Sequence, residues 1–231
     1  MGEAFITRRG GGIPYAVIGV TYPSGSVCTC TNGTRTMTAK DTTGKALFVI
    51  PTAGTWTVKA VSGSKSASKA VKITADGQSA TVVLAYDLIL FDGTDNTDVT
   101  GGLKLQVGTY DSAVVSSAPI SGGKITFNKT GYVGVYPAKK ADITNYSTLR
   151  VELNFPVDSL YVARAGIIST DATPQEAINA SGGKHMAYQN LVKGANSLAI
   201  PVDKFSGSYQ FLLAYYSDNG GQVSISNIRF T

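Results

Sequence analysis

The chain has little of what most catalytic sites are made from. Its 231 residues include one histidine, two cysteines, one tryptophan and three glutamates, and charged residues make up only 15%. A Ser-His-Asp or Cys-His centre would have to use His185, yet GGKHMAYQN carries no nucleophile motif and G-x-S-x-G is absent, so His185 reads as a loop residue. Carboxylate-pair chemistry would have to draw on Glu3, Glu152 and Glu176, none in a catalytic context, and a glycoside hydrolase ranks last among the readings. No G-x-G-x-x-G or Walker pattern provides for a nucleotide. Cys28 and Cys30, two apart on a strand-like run, share one face and diverge too far to bridge easily; with a single histidine they do not make a zinc site, and they read as small buried apolar residues. No apolar run reaches membrane-spanning length and the first residues lack the apolar core of a secretory signal, so a soluble protein without a leader is expected.

What is present favours β structure. Glycine (26 residues) with abundant Ser, Thr and Val suits short twisted strands joined by tight turns. The organising stretch is Ser79 to Gly102. It alternates through Ala80, Val82 and Leu84, then runs past Tyr86-Asp87 into a second apolar segment, Leu88 to Phe91. The composition changes there, which makes it the last strand of one domain leading into the first strand of the next. With so short a junction the two domains are expected end to end with little swing.

Residues 1–14 form a basic, glycine-rich arm expected to be flexible, although Phe5 and Ile6 beside Arg8 and Arg9 could dock the arm onto a partner as readily as fray. Over residues 15–86 seven short strands are separated by Gly, Pro, Asn and Asp clusters, the pattern of a small antiparallel sandwich. Asn32-Gly33 predicts a two-residue hairpin that would pair Cys28 with Met37 and Cys30 with Arg35. Residues 1–85 hold nine Lys or Arg against three acids, whereas residues 86–231 hold eleven against twelve. The basic front either meets an acidic surface, or Lys59, Lys65, Lys69 and Lys72 protect the edge of an exposed hairpin. No aromatic residues alternate with these lysines, so nucleic acid is not an expected partner.

Residues 87–231 carry eight or nine more strands, a second and larger sandwich, with one helix expected from Thr173-Pro174-Gln175-Glu176 to Gly182-Gly183. Asp92, Asp95, Asn96 and Asp98 gather oxygen ligands in FDGTDNTD, which suits either a structural Ca2+ or a plain turn. Nine of the twelve tyrosines lie from Tyr110 onward. Tyr132 and Tyr136 share a strand face, and the adjacent Tyr215 and Tyr216 point to opposite faces. These four are the candidate contact surface for a glycan or protein, the alternative being packing at the edge of the core.

The run PTAGTWTVKAV with SKAVKITADGQSATVVLAY resembles the small immunoglobulin-like, carboxypeptidase-regulatory-like sandwiches of bacterial surface proteins and tailed-bacteriophage virion proteins. That likeness makes Trp56 a packing residue. GEAFITRRGGG resembles leaders on phage structural proteins, while DITNYSTLRVELNF and VSISNIRFT resemble the jelly-roll sandwiches of carbohydrate-binding modules, which often hold a structural calcium. Together the resemblances imply an all-β chain of two sandwiches behind an arm: a non-enzymatic head-decoration or tail-fibre component of a phage particle. Its implied partners are other virion proteins, further copies of itself and host cell-surface polysaccharide, and it would need no cofactor beyond that calcium. The alternative they imply is a bacterial carbohydrate-binding module or surface adhesin.

Overall fold

The computed structural model describes residues 16–63, 65–109, 112–156, 163–169 and 184–231. It divides into two compact units, with the boundary between Tyr86 and Asp87. The arm and the expected helix over residues 173–182 lie outside the described residues. Among the described residues no helix is long and apolar enough to cross a membrane. As the composition predicts, the fold is all-β, and each unit is built as a sandwich of two sheets.

In the first unit β1 (Ala16–Thr21), β4 (Lys45–Ile50) and β7 (Ser79–Val83) form one sheet, with β1 central, antiparallel to β4 and parallel to β7. The second sheet runs in the order β3 (Thr36–Thr38), β2 (Val27–Thr31), β5 (Gly54–Ser62) and β6 (Lys65–Ile73). Strict alternation puts Ile18, Val20, Phe48 and Val82 from one sheet against Cys28, Cys30, Trp56, Val58 and Ile73 from the other. Trp56 is wholly buried and its Nε1–H donates to the Thr52 carbonyl at 3.1 Å, so the indole is a packing residue with its one polar atom satisfied. Lys69 stands opposite the buried Val58 yet is exposed, an inward-facing charge on the edge strand β6 that opposes pairing with another chain.

The first hairpin differs from the expected one by a step. Cys30 pairs with Met37 and Thr31 with Thr36, and the Asn32 N–H donates to Arg35 O at 3.2 Å, so the two turn residues are Gly33 and Thr34. Asn32 acts instead as a cap: its Oδ1 accepts from the N–H groups of Thr34 and Arg35 at 3.1 and 2.8 Å. Gly33, at φ +89°, then takes the first turn position, where a type II′ turn favours glycine. The cysteines keep their inward face, and both thiols are free and buried.

The second unit starts with β8 (Leu88–Phe91) and a single helical turn, α1 (Thr97–Thr100). It continues through β9 (Leu103–Gly108), β10 (Ala113–Ser117), β11 (Ile120–Ser121), β12 (Lys124–Asn128), β13 (Gly131–Pro137) and β14 (Ala141–Asp142). The remaining strands are β15 (Thr148–Phe155), β16 (Arg164–Ile168), β17 (Ala187–Asn190), β18 (Gly194–Pro201), β19 (Ser208–Ser217) and β20 (Gln222–Phe230). One sheet has the order β10-β9-β13-β19-β16-β17, with β14 added beside β19; the other has β11-β12-β20-β15-β18, with β8 added beside β20. The closing strand β20 is therefore central, and its Val223, Ile225, Ile228 and Phe230 enter a core shared with Phe91, Leu149, Val151, Phe155, Phe211 and Leu213.

Candidate functional site

The long strand β19 reads QFLLAYYS, apolar at consecutive positions rather than at alternate ones. Phe211, Leu213 and Tyr215 face the sandwich core, which sends Gln210, Leu212, Ala214 and Tyr216 to the other face of the sheet. A solvated outer face would carry polar, exposed residues here. Instead Leu212, Ala214, Tyr136 and Ile168 form a second buried cluster on that side, and Gln106 and Gln210 are buried with them.

The sheet curls toward this face at both flanks. A Cβ built on Gly108 would fall onto the Ser112 carbonyl and the Ala113 backbone of the β9–β10 hairpin, and one built on Gly166 would fall onto the Ala187 carbonyl and the backbone of Tyr188 in β17. Both glycines belong to the outward-facing set, so each edge strand bends over the outer face where its neighbour has no side chain. Between the two bent flanks Gln106, Gly134, Ala214, Leu212 and Tyr136 form the floor of a trough; all five are buried, so only its rim is open to a ligand.

Polar groups on the floor are paired. The Tyr136 hydroxyl donates to Gln106 Oε1 at 3.3 Å, and the Gln210 amide donates to the Pro137 carbonyl. Burial raises the Tyr136 phenol above its ordinary value. His185 is buried, with Nε2 3.2 Å from the Leu212 carbonyl. A carbonyl oxygen only accepts, so Nε2 carries the hydrogen. His185 lies, as expected, in a loop, just before β17, and from there it anchors the flank of the trough through a backbone carbonyl of β19.

The rim holds the accessible side chains. Tyr132 on β13 and Tyr216 on β19 are direct cross-strand neighbours, with ring centroids 4.7 Å apart in an edge-to-face arrangement. The Tyr216 hydroxyl donates to Asp218 Oδ1 at 2.5 Å, which fixes the outer ring. On the next strand Arg164 lies opposite Ala214, and its guanidinium carbon sits 4.2 Å from the centroid of the Tyr188 ring on β17. Tyr188 is 43% exposed and leans on His185, ring centroids 5.8 Å apart. Lys104 stands opposite Tyr136 on the same face. An aromatic pair, a guanidinium and a third ring are thus set across four adjacent strands, about 14 Å at the usual strand spacing. Such a row offers flat apolar faces with polar edges to an extended polar ligand.

The sequence-predicted residues separate. Tyr132 and Tyr216 meet on the rim, and Tyr136 lies on the same face but is only 4% exposed, so it floors the trough. Tyr215 is corrected to a core residue. It is 2% exposed, packs edge-to-face on Phe155 at 5.1 Å, and burial carries its phenol far above the ordinary value.

In the acidic loop the side chains close the backbone. Asp95 Oδ1 accepts from the Thr100 hydroxyl and Oδ2 from the Leu103 N–H, both at 2.7 Å. The Asn96 amide donates to Ile89 O at 2.9 Å, and Asp92 Oδ1 accepts from Thr94 at 3.2 Å. Among the described residues no three acidic, histidine or cysteine side chains converge, and Asp98 lies exposed on α1. Phe5, Ile6, Arg8 and Arg9 lie outside the described residues. Glu152 is exposed on β15 and accepts from the Ser197 hydroxyl at 2.7 Å.

Arg164, Tyr188, Gln106 and the trough itself were not singled out from the sequence. Two signals were available. ARAGII places one arginine inside an apolar strand, and QFLLAYYS lacks the alternation of a half-exposed one.

No protein-family model matches the chain, and no curated protein matches it. Solved structures with partial likeness exist. One is from a study of the promiscuous specificity of carbohydrate-binding modules of the β-sandwich superfamily, 15% identical, covering 96% of this chain and 87% of that one with a TM-score of 0.33. Another is a glycoside hydrolase family 43 arabinoxylan arabinofuranohydrolase from Bacillus subtilis in complex with cellotetraose, 10% identical, covering 94% of this chain and 53% of the enzyme with a TM-score of 0.34. At these scores neither likeness says what this chain binds.

Proposed function

We propose that the second unit is a non-catalytic glycan-recognition sandwich whose ligand lies across the rim of the trough. The observation that carries this reading is the Tyr132–Tyr216 pair, two half-buried rings fixed on a face that the sheet curls around. Sugar rings present apolar C–H faces and polar edges. Tyrosine matches both with its flat ring and its hydroxyl, and it loses little side-chain freedom on binding. Recognition on this basis needs no proton transfer.

The test is affinity electrophoresis of the full chain in gels containing soluble xylan, β-glucan or polygalacturonate. Retardation by at least one polymer is expected. Tyr132→Ala or Tyr216→Ala should weaken it about tenfold, roughly 1.4 kcal/mol. Equal migration in every gel would remove the reading.

The setting of this binding is proposed from the resemblances alone. The chain would serve as a distal module of a phage particle, attached through its arm, or as an adhesin on a bacterial surface. Co-sedimentation of the purified chain with phage particles separates the two.

A further inference from the structure

We infer that the trough selects saccharides bearing a carboxylate, and that Arg164 is the residue that selects them. The inference rests on the glycan reading above and adds the chemical class of the ligand. Arg164 is half-buried on β16, between β19 and the edge strand β17, and among the described residues no acid pairs with it. Its Nε is shut off from water and has no acceptor. Arg229 Nε is in the same state although its guanidinium pairs with Asp87, so the Nε alone does not mark a ligand site. A positive charge partly withdrawn from water without a counter-ion is costly.

The guanidinium plane is fixed by the Tyr188 ring at 4.2 Å, and Tyr188 is backed by His185. Ala214 stands directly opposite Arg164, with Gly134 beyond it, and neither brings charge. Asp218, beyond the end of β19, is engaged by the Tyr216 hydroxyl. A fixed guanidinium presents parallel N–H groups, and a planar carboxylate accepts two of them side by side, whereas a sugar hydroxyl accepts one at a time. The carboxylate also supplies the missing counter-charge. Lys104, on the same face, adds a second positive group toward the other flank.

The experiment measures affinities of the full chain for polygalacturonate, for its fully methyl-esterified form, for dextran sulfate and for neutral xylan. The expected result is binding of polygalacturonate at least tenfold tighter than of the ester. That ratio should fall to near one in Arg164→Gln and by severalfold in Arg164→Lys, which keeps the charge but loses the fork and the stack. Melting temperatures of both variants are recorded, and Tyr188→Ala, which frees the guanidinium without removing it, should give an intermediate ratio. An ester bound as well as the acid overturns the inference while leaving glycan recognition standing, as does dextran sulfate bound in preference to both. Absence of binding to all four polymers overturns the inference together with the reading it rests on.

Discussion

Tyr132 and Tyr216 stand directly opposite each other on neighbouring strands, their rings 4.7 Å apart at an interplanar angle of 60°. Each ring holds the other in place, so the pair is a preformed surface. Removing either should loosen its partner. A double-mutant cycle on unfolding free energy, using Tyr132→Ala, Tyr216→Ala and the double variant, should give a coupling of about 0.5–1.5 kcal/mol. Strict additivity would mean the two rings do not support each other.

The curl of the sheet depends on Gly166. Alanine there would place a methyl group against the Ala187 carbonyl and the Tyr188 backbone, atoms that cannot rotate away, so β17 must shift. Gly166→Ala should cost about 1–3 kcal/mol in thermal unfolding, the usual range for overpacking. Because β17 carries Tyr188, the same change should weaken glycan binding. A variant as stable as the parent would show that β17 does not bend over this position.

Burial raises the Cys28 and Cys30 thiols to about 11, so almost no thiolate is present at neutral pH. A disulfide-exchange reagent added to the folded protein at pH 8 should react very slowly. In denaturant both thiols should titrate quickly. Rapid reaction of the folded protein would contradict the closed core of the first unit.

Asp142 Oδ1 accepts from the Thr144 hydroxyl at 2.6 Å and from the Thr144 N–H at 3.0 Å, and these bonds lower its carboxyl below the ordinary value of 3.8. The folded state therefore binds this proton less readily than the unfolded chain does. The resulting stability is present above the ordinary carboxylate value and is lost as the pH falls through the lowered one. Asp41 with Thr43 repeats the arrangement in the first unit. Asp142→Ala should lower the melting temperature at pH 7 and leave it nearly unchanged at the acid end of the titration. Asp142→Asn, which keeps the accepting oxygen, should flatten the pH dependence with less loss at pH 7.

Much of the strand pattern was legible because burial in a sandwich imposes a period of two. Lys124–Asn128 and Thr148–Phe155 alternate cleanly between buried and more exposed positions. The hairpin at Gly33 was found one residue out of step, because Asn32 satisfies the turn with its side chain instead of adopting the left-handed backbone itself. The trough was not legible. Its floor comes from β9, β13 and β19, strands far apart in sequence, and its walls depend on two glycines whose role is the absence of a side chain. Tyr215 and Tyr216 show the same limit: adjacency fixed that they face opposite ways, and only the packing of Tyr215 on Phe155 decides which one faces out.

The central claim is that the rim tyrosines bind saccharide. It is tested most directly by a glycan array probed with the full chain and with a Tyr132→Ala/Tyr216→Ala double variant of verified fold. The account predicts binding of the parent to at least one saccharide class and at least a tenfold loss in the double variant. A parent that binds no glycan, or a double variant that binds as the parent does, would contradict it.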